Sequence, residues 1–350
     1  MKLSEFSLND IVEPDVKWQE KAQAYLDSLA MPPGALGMLG HTAVKLATIQ
    51  KTLKPQIKGK SLVMACADHG VVAEGVSNYP QITHAIVNTA LTGGAAINAF
   101  CNQAGVNLTV LNVGVKGDVK PPEPMNAMVH YISKPVAPGT ANMLHQPAMT
   151  KEECTEAISI GIQLAQDLDA NIFVLGEMGI GNTTSASCLL AKYCDLSAEQ
   201  VTGPGTGVKG EALQHKKEVI RKILERCSTE QEPFEILLQV GGLEIAALVG
   251  VILGAASQQK AVVLDGFISG AAALAAKAIA PSSMSYLFAG HQSAEPAHKQ
   301  MLESLGLEPL VKLDLRLGEG TGAALATNFL EASCNFFNSM LTLDEALKLS

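Results

Sequence analysis

From residue 61 onward, short and continuously apolar runs alternate with longer helical stretches, and this alternation restricts the fold more than any other feature of the chain. The apolar runs fall at 61–66, 108–113, 171–175, 261–264 and 286–288, with a further one near 310–315. Helical periodicity fills the intervals at 93–104, 151–168, 182–192, 210–227, 242–256 and 268–280. A strand followed by a helix and another strand closes as a right-handed crossover, which makes neighbouring strands parallel. The runs do not alternate polar with apolar residues, so both faces of each strand are expected to be buried. The predicted architecture is an α/β fold, a doubly wound and mainly parallel sheet of Rossmann-like type.

The segments outside this pattern are helical. Residues 16–29 and 42–53 predict two helices around the turn Pro32-Pro33-Gly34, and 322–334 and 342–349 predict two more. A small helical domain from 1–58 plus 331–350 is therefore expected beside a large α/β domain over 59–330. The stretch 116–148 carries six prolines and little periodicity, and reads as a long surface loop. Aromatic residues make up only 4% of the chain, so Ala, Leu, Ile and Val must build the core. A net charge of −9 argues against a nucleic-acid groove or an anionic membrane surface. The most apolar run, 245–256, is too short to span a bilayer. Seven scattered cysteines without a C-x-x-C pair, and no signal sequence, point to reduced thiols in the cytoplasm.

Open parallel sheets bind ligands where strand turns into helix at the carboxyl end. Four segments hold such positions: Cys66-Ala67-Asp68-His69-Gly70, Gly176-Glu177-Met178-Gly179-Ile180-Gly181-Asn182-Thr183-Thr184, Asp265-Gly266-Phe267, and Arg316-Leu317-Gly318-Glu319-Gly320-Thr321-Gly322. Gly179, Gly181, Asn182, Thr183 and Thr184 either cap a helix after a tight turn or present free N–H groups to a phosphate. A literal G-x-G-x-x-G spans Gly205, Gly207 and Gly210, but it follows a helix, so it is not a dinucleotide fingerprint. Lys216, on the helix it opens, is either a solvated lysine or a phosphate ligand. Glu319, a lone carboxylate between two glycines, suits a general base that a ligand must approach closely. A helix dipole lowers its pKa, whereas burial beside Leu315 and Leu317 raises it. Glu177 is a second carboxylate on a comparable loop. Asp68, His69 and His84 lack metal-ligand spacing, and His291-Gln292-Ser293 has no G-x-S-x-G elbow beside it.

These segments, with Pro32-Pro33-Gly34-Ala35-Leu36-Gly37 and Leu264-Asp265-Gly266-Phe267, resemble the signatures of the nicotinate-nucleotide–dimethylbenzimidazole phosphoribosyltransferases, in the family's order from about residue 30 to 330. The resemblance implies transfer of ribose 5-phosphate from nicotinate mononucleotide to the lower-ligand base of a cobamide (a B12-type compound). It implies catalysis by Glu319 with Glu177 beside it, and no metal or other cofactor. It implies a nucleotide site at Gly179, Gly181, Asn182, Thr183, Thr184, Gly205, Gly207 and Lys216. Further substrate contacts are implied at Pro33, Asp68, His69, Tyr79, Val87, Met178, Asp265, Leu317, Gly318 and Gly320. A homodimer, or a heterodimer with a paralogous subunit, is the implied assembly.

The chain departs from the family where the acceptor binds. A Ser and a Gln of the family pattern are Tyr79 and Val87 here, and an Arg of the N-terminal motif is Met38. Fewer hydrogen-bonding groups imply a more apolar acceptor, phenolic or differently substituted. A catalytically silent partner subunit is the alternative from another class, and retention of Glu319 between its glycines argues against it.

Overall fold

The structure is a computed structural model that describes residues 6–349 except Thr206 and Glu230. Its sheet has strands β1 (Lys60–Ala67), β2 (Asn107–Gly114), β3 (Val129–Ser133), β4 (Ile172–Met178), β5 (Ala261–Leu264), β6 (Leu287–His291) and β7 (Pro309–Val311). They lie in the order β3-β2-β1-β4-β5-β6-β7, and every neighbouring pair is parallel. The expected doubly wound α/β fold is thus present. The winding reverses between β1 and β4, where Ala65 pairs with Glu177 and Cys66 with Met178. All eight residues of β1 are buried, so helices cover it on both faces, as its unbroken apolarity requires.

One expectation is overturned. The proline-rich stretch 116–148 contains β3, which pairs in parallel with β2 along Leu108–Asn112. β3 is an edge strand, and only Val129 among its five residues is buried. Without a second buried face it has no continuous apolar run to reveal it. The structure also adds helices not read from the sequence, at Thr83–Thr92, Pro233–Val240 and His298–Leu305.

Helix Leu243–Ser257 packs on β1, β2, β4 and β5, and helix Lys151–Asp167 stacks on it. The two backbones touch through glycine. A Cβ on Gly250 would overlap the Ile158 carbonyl, and one on Gly161 would overlap the Ala247 carbonyl. A second, smaller core joins Ala22, Leu26, Leu29, Ala43, Val44 and Ala47 to Phe337. It therefore combines both ends of the chain. Phe337 belongs to Thr321–Ser339, a single unbroken helix that begins beside Glu319 and crosses residue 331 without interruption. Lys45 ties the N-terminal helix Gly37–Gln50 to the sheet, its Nζ donating to the Leu287 carbonyl at 2.5 Å.

Gly250→Ala is expected to cost about 1–3 kcal/mol, because overpacking against a neighbouring backbone cannot be relieved by a rotamer change. Urea denaturation checks this, with the midpoint falling at an unchanged slope.

Candidate active site

The carboxyl ends of β4, β5, β6 and β7 surround a cavity of about 660 Å³. Glu177 and Met178 enter it from β4, Asp265 and Gly266 follow β5, His291 ends β6, and Arg316 to Glu319 follow β7. The crevice beside the β1/β4 reversal is where a doubly wound sheet leaves room, since neighbouring crossovers there run to opposite sides.

Glu319 lines this cavity, at 6% exposure, with a backbone φ of +61°. Gly318 and Gly320 on either side are also left-handed, at +86° and +95°. Three such residues in succession turn the chain sharply enough to lay the Glu319 backbone on β4. A Cβ on Gly176 would overlap the Glu319 carbonyl, so strand and loop meet only because residue 176 has no side chain. The carboxylate accepts one hydrogen bond, from the Ile97 N–H to Oε2 at 3.3 Å, and among the described residues no cation pairs with it. Burial raises its pKa, the Ile97 N–H partly opposes that, and the Asp265 charge adds to it.

Glu177 sits within β4 and not on a loop, so that expectation is corrected. It is 8% exposed, and Asn182 Nδ2 donates to its Oε2. Burial first, then the Asp265 charge, pushes its carboxyl up to about 8, against the opposing Asn182 bond. At neutral pH this group is largely protonated while lining the same cavity as Glu319.

A helix start and a buried lysine in the same wall suit an anion. Thr183 and Asn182 start the helix Asn182–Cys194 and line the cavity, with Gly205 beside them. Lys216 is not solvated; it is 1% exposed. Its Nζ donates to Thr183 Oγ1 at 2.9 Å and to the Gly203 carbonyl at 3.3 Å, directly behind the lining. Burial lowers it to about 8, and Glu295 works against that fall.

Of the residues singled out in the sequence, Tyr79, Met178, Gly179, Asn182, Thr183, Gly205, Asp265, Leu317 and Gly318 line the cavity with the two glutamates. Others lie behind it. Asp68 accepts from Thr83 Oγ1 and the Lys116 N–H, both at 2.7 Å, and His69 Nε2 meets Glu244 Oε1 at 2.6 Å, so both side chains are occupied in holding loops. Gly181 and Gly320 shape the turns without lining the cavity, Thr184 is buried in the first turn of helix Asn182–Cys194, and Gly207 has open space around it. Pro33 is exposed on the N-terminal segment, off the cavity. Val87 is corrected: it is fully buried in the core, and Ile86, one step around the helix Thr83–Thr92, lines the cavity instead. Sequence reasoning did not find Ile82, Ile86 or Glu295. The i, i+4 spacing of the two isoleucines was the available signal, whereas nothing marked Glu295.

Buried carboxylates and a helix start backed by a buried lysine thus share one cavity at the carboxyl ends of a parallel sheet. Residues 11–347 match the family model described as Phosphoribosyltransferase. The chain is 45% identical to the nicotinate-nucleotide–dimethylbenzimidazole phosphoribosyltransferase of Desulforamulus reducens and 42% identical to that of Geobacter sp. strain M21, over 99% of each chain in both cases. It also resembles the crystal structure of CobT from Thermus thermophilus, with a TM-score of 0.89 and 43% identity over 94% of this chain and 98% of that one. The chain belongs to the nicotinate-nucleotide–dimethylbenzimidazole phosphoribosyltransferase family.

The raised Glu177 carboxyl makes a stability prediction. The native state holds this proton from the ordinary glutamate range near about 4.3 up to about 8, and the unfolded chain does not, so stability falls as pH rises through that window. Glu177→Gln removes the effect. Its melting temperature is expected to gain on the parent progressively across the window and to level off above it, in thermal unfolding followed against pH.

Proposed function

We propose that this chain transfers ribose 5-phosphate from nicotinate mononucleotide to a flat aromatic acceptor, with Glu319 as the base, in the synthesis of cobamides. The observation that carries the reading is the Glu319 carboxylate, buried in the cavity wall and without a cationic partner among the described residues. Thr183, Gly205 and the underlying Lys216 suit the 5′-phosphate.

The chemistry needs little else. The acceptor's nucleophilic atom attacks C1′ of the ribose from the face opposite nicotinate. The C1′–N bond breaks, and its electron pair returns to the pyridinium nitrogen, which leaves as a neutral ring without an acid to assist it. The acceptor's proton passes to Glu319, and the β linkage is replaced by an α one. Raising the pKa of a carboxylate base strengthens it, provided that it remains ionised at the working pH. Glu177 beside it, largely protonated at neutral pH, adds no second full charge to the site.

The apolar part of the lining supports an aromatic acceptor. Tyr79, Ile82, Ile86, Met178, Phe267 and Leu315 provide apolar surface in the cavity, with the Tyr79 hydroxyl the one hydrogen-bonding side-chain group among these six. A benzimidazole or a phenolic ring fits that chemistry.

Purified alone and given nicotinate mononucleotide with dimethylbenzimidazole, adenine, phenol or p-cresol in turn, the chain is expected to form α-ribosides. Formation of none would leave the silent-subunit reading, and strict preference for dimethylbenzimidazole would remove the phenolic one. Glu319→Gln is expected to lower kcat by about 100-fold or more, the scale of a lost general base. In the parent, kcat falls as pH drops through the raised Glu319 value, so the acid limb lies above the ordinary glutamate range near about 4.3. Lys216→Met is expected to raise KM for nicotinate mononucleotide by about tenfold or more, the worth of one charge-assisted hydrogen bond.

A further inference from the structure

Asp265, expected to contact substrate, lines the cavity, and its carboxylate also holds backbone. Oδ1 accepts from the Ala323 N–H at 2.9 Å and Oδ2 from the Gly320 N–H at 3.3 Å. Those two N–H groups flank the start of helix Thr321–Ser339, immediately after Glu319. A single carboxylate therefore clamps the C-terminal side of the left-handed turn that carries the base. Left-handed backbone is costly for a residue with a side chain, and it persists only where surrounding contacts enforce it.

His291 stands behind that clamp. It ends β6 at 3% exposure, with Nε2 3.3 Å from Asp265 Oδ1. Its ring is pressed against Gly322, where a Cβ would overlap Cδ2, Cγ and Nε2. Nδ1 is buried and has no hydrogen-bond partner among the described residues. A buried polar atom left unsatisfied costs stability. The ring thus keeps an otherwise unfavourable nitrogen while its other nitrogen faces the carboxylate that holds the base-bearing loop.

We infer that His291 is a positioning residue for the transfer reaction, fixing Asp265 and through it the turn that presents Glu319. The inference rests on the reading of Glu319 as the base. His291 sets where the carboxylate stands relative to C1′ and the acceptor, and it does so by orienting Asp265 while Gly322 leaves room for its ring.

The test compares kcat and KM in five variants beside Glu319→Gln. His291→Leu is expected to lower kcat by about tenfold or more with KM for nicotinate mononucleotide nearly unchanged, as displacement of a reacting group does. His291→Gln, which retains an N–H donor, is expected to recover most of that loss. Asp265→Asn is expected to lose at least as much as His291→Leu, and the double variant no more than Asp265→Asn alone, because the histidine acts through the aspartate. Gly322→Ala is the variant that separates positioning from folding. Alanine suits a helix better than glycine, but its methyl group would displace the His291 ring, so the positioning role predicts a several-fold lower kcat with KM nearly unchanged in protein that still unfolds cooperatively, whereas a merely structural role leaves the kcat of the folded protein near the parent's. Losses in His291→Leu and Asp265→Asn that multiply in the double variant, a His291→Gln no better than His291→Leu, or a full-rate Gly322→Ala would overturn the inference. If Glu319→Gln keeps full turnover, the base assignment itself is what fails; if it is inactive while the His291 variants are unimpaired, the base stands and the positioning role falls.

Discussion

A carboxylate withdrawn from water without a compensating cation is the constraint from which the rest of this site follows. Such a group is unfavourable to bury ionised, and its pKa rises in consequence. At Glu319 the arrangement leaves one N–H bond, from Ile97, as the only stabilising contact to the side chain among the described residues. A salt bridge there would make the carboxylate easier to bury and useless as a base. The structure instead places its stabilising contacts on the backbone around it: Asp265 on Gly320 and Ala323, and the bare Cα of Gly176 beneath. The loop is held firmly so that the side chain is free.

The sheet order makes this possible. Reversal of winding between β1 and β4 opens a crevice at the strands' carboxyl ends, into which β4, β5, β6 and β7 each deliver residues far apart in sequence. Glu177 and Glu319 face one cavity because a strand and a loop meet there, separated by the crossovers that connect β4 to β7. Covering helices keep the strands rigid. The close glycine contact between Lys151–Asp167 and Leu243–Ser257 belongs to that support.

Within a chain of net charge −9, the cavity brings buried carboxylates and a buried lysine to one wall. Glu177, Asp265, Glu295 and Glu319 line the cavity, and Lys216 stands under Thr183 and Gly205, with Glu295 close enough to act on its charge. Burial works in opposite directions on the two kinds of group, raising the glutamates and lowering the lysine, so that each titrates closer to neutrality than it does in water.

The strands buried on both faces were legible in the sequence, because burial on both sides demands uninterrupted apolar residues that are visible without a fold. So were the glycines around Glu319 and the Gly179–Thr184 turn, since left-handed backbone and close approach restrict residue type locally. β3 was not legible, because an edge strand with one half-buried face imposes no such pattern. Nor was the choice of Ile86 over Val87 as the lining residue, which depends on the rotational phase of a helix against its neighbours. Lys216 looked like one of several lysines on an amphipathic helix, and Asp265 like a ligand for substrate. Only the packing of distant elements buried the first and gave the second its two backbone partners. Local backbone demands and burial on both faces are written residue by residue, so the chain alone determined its fold and its candidate base. What each polar side chain faces is set by elements brought together across the sheet, and that was decided by the tertiary structure.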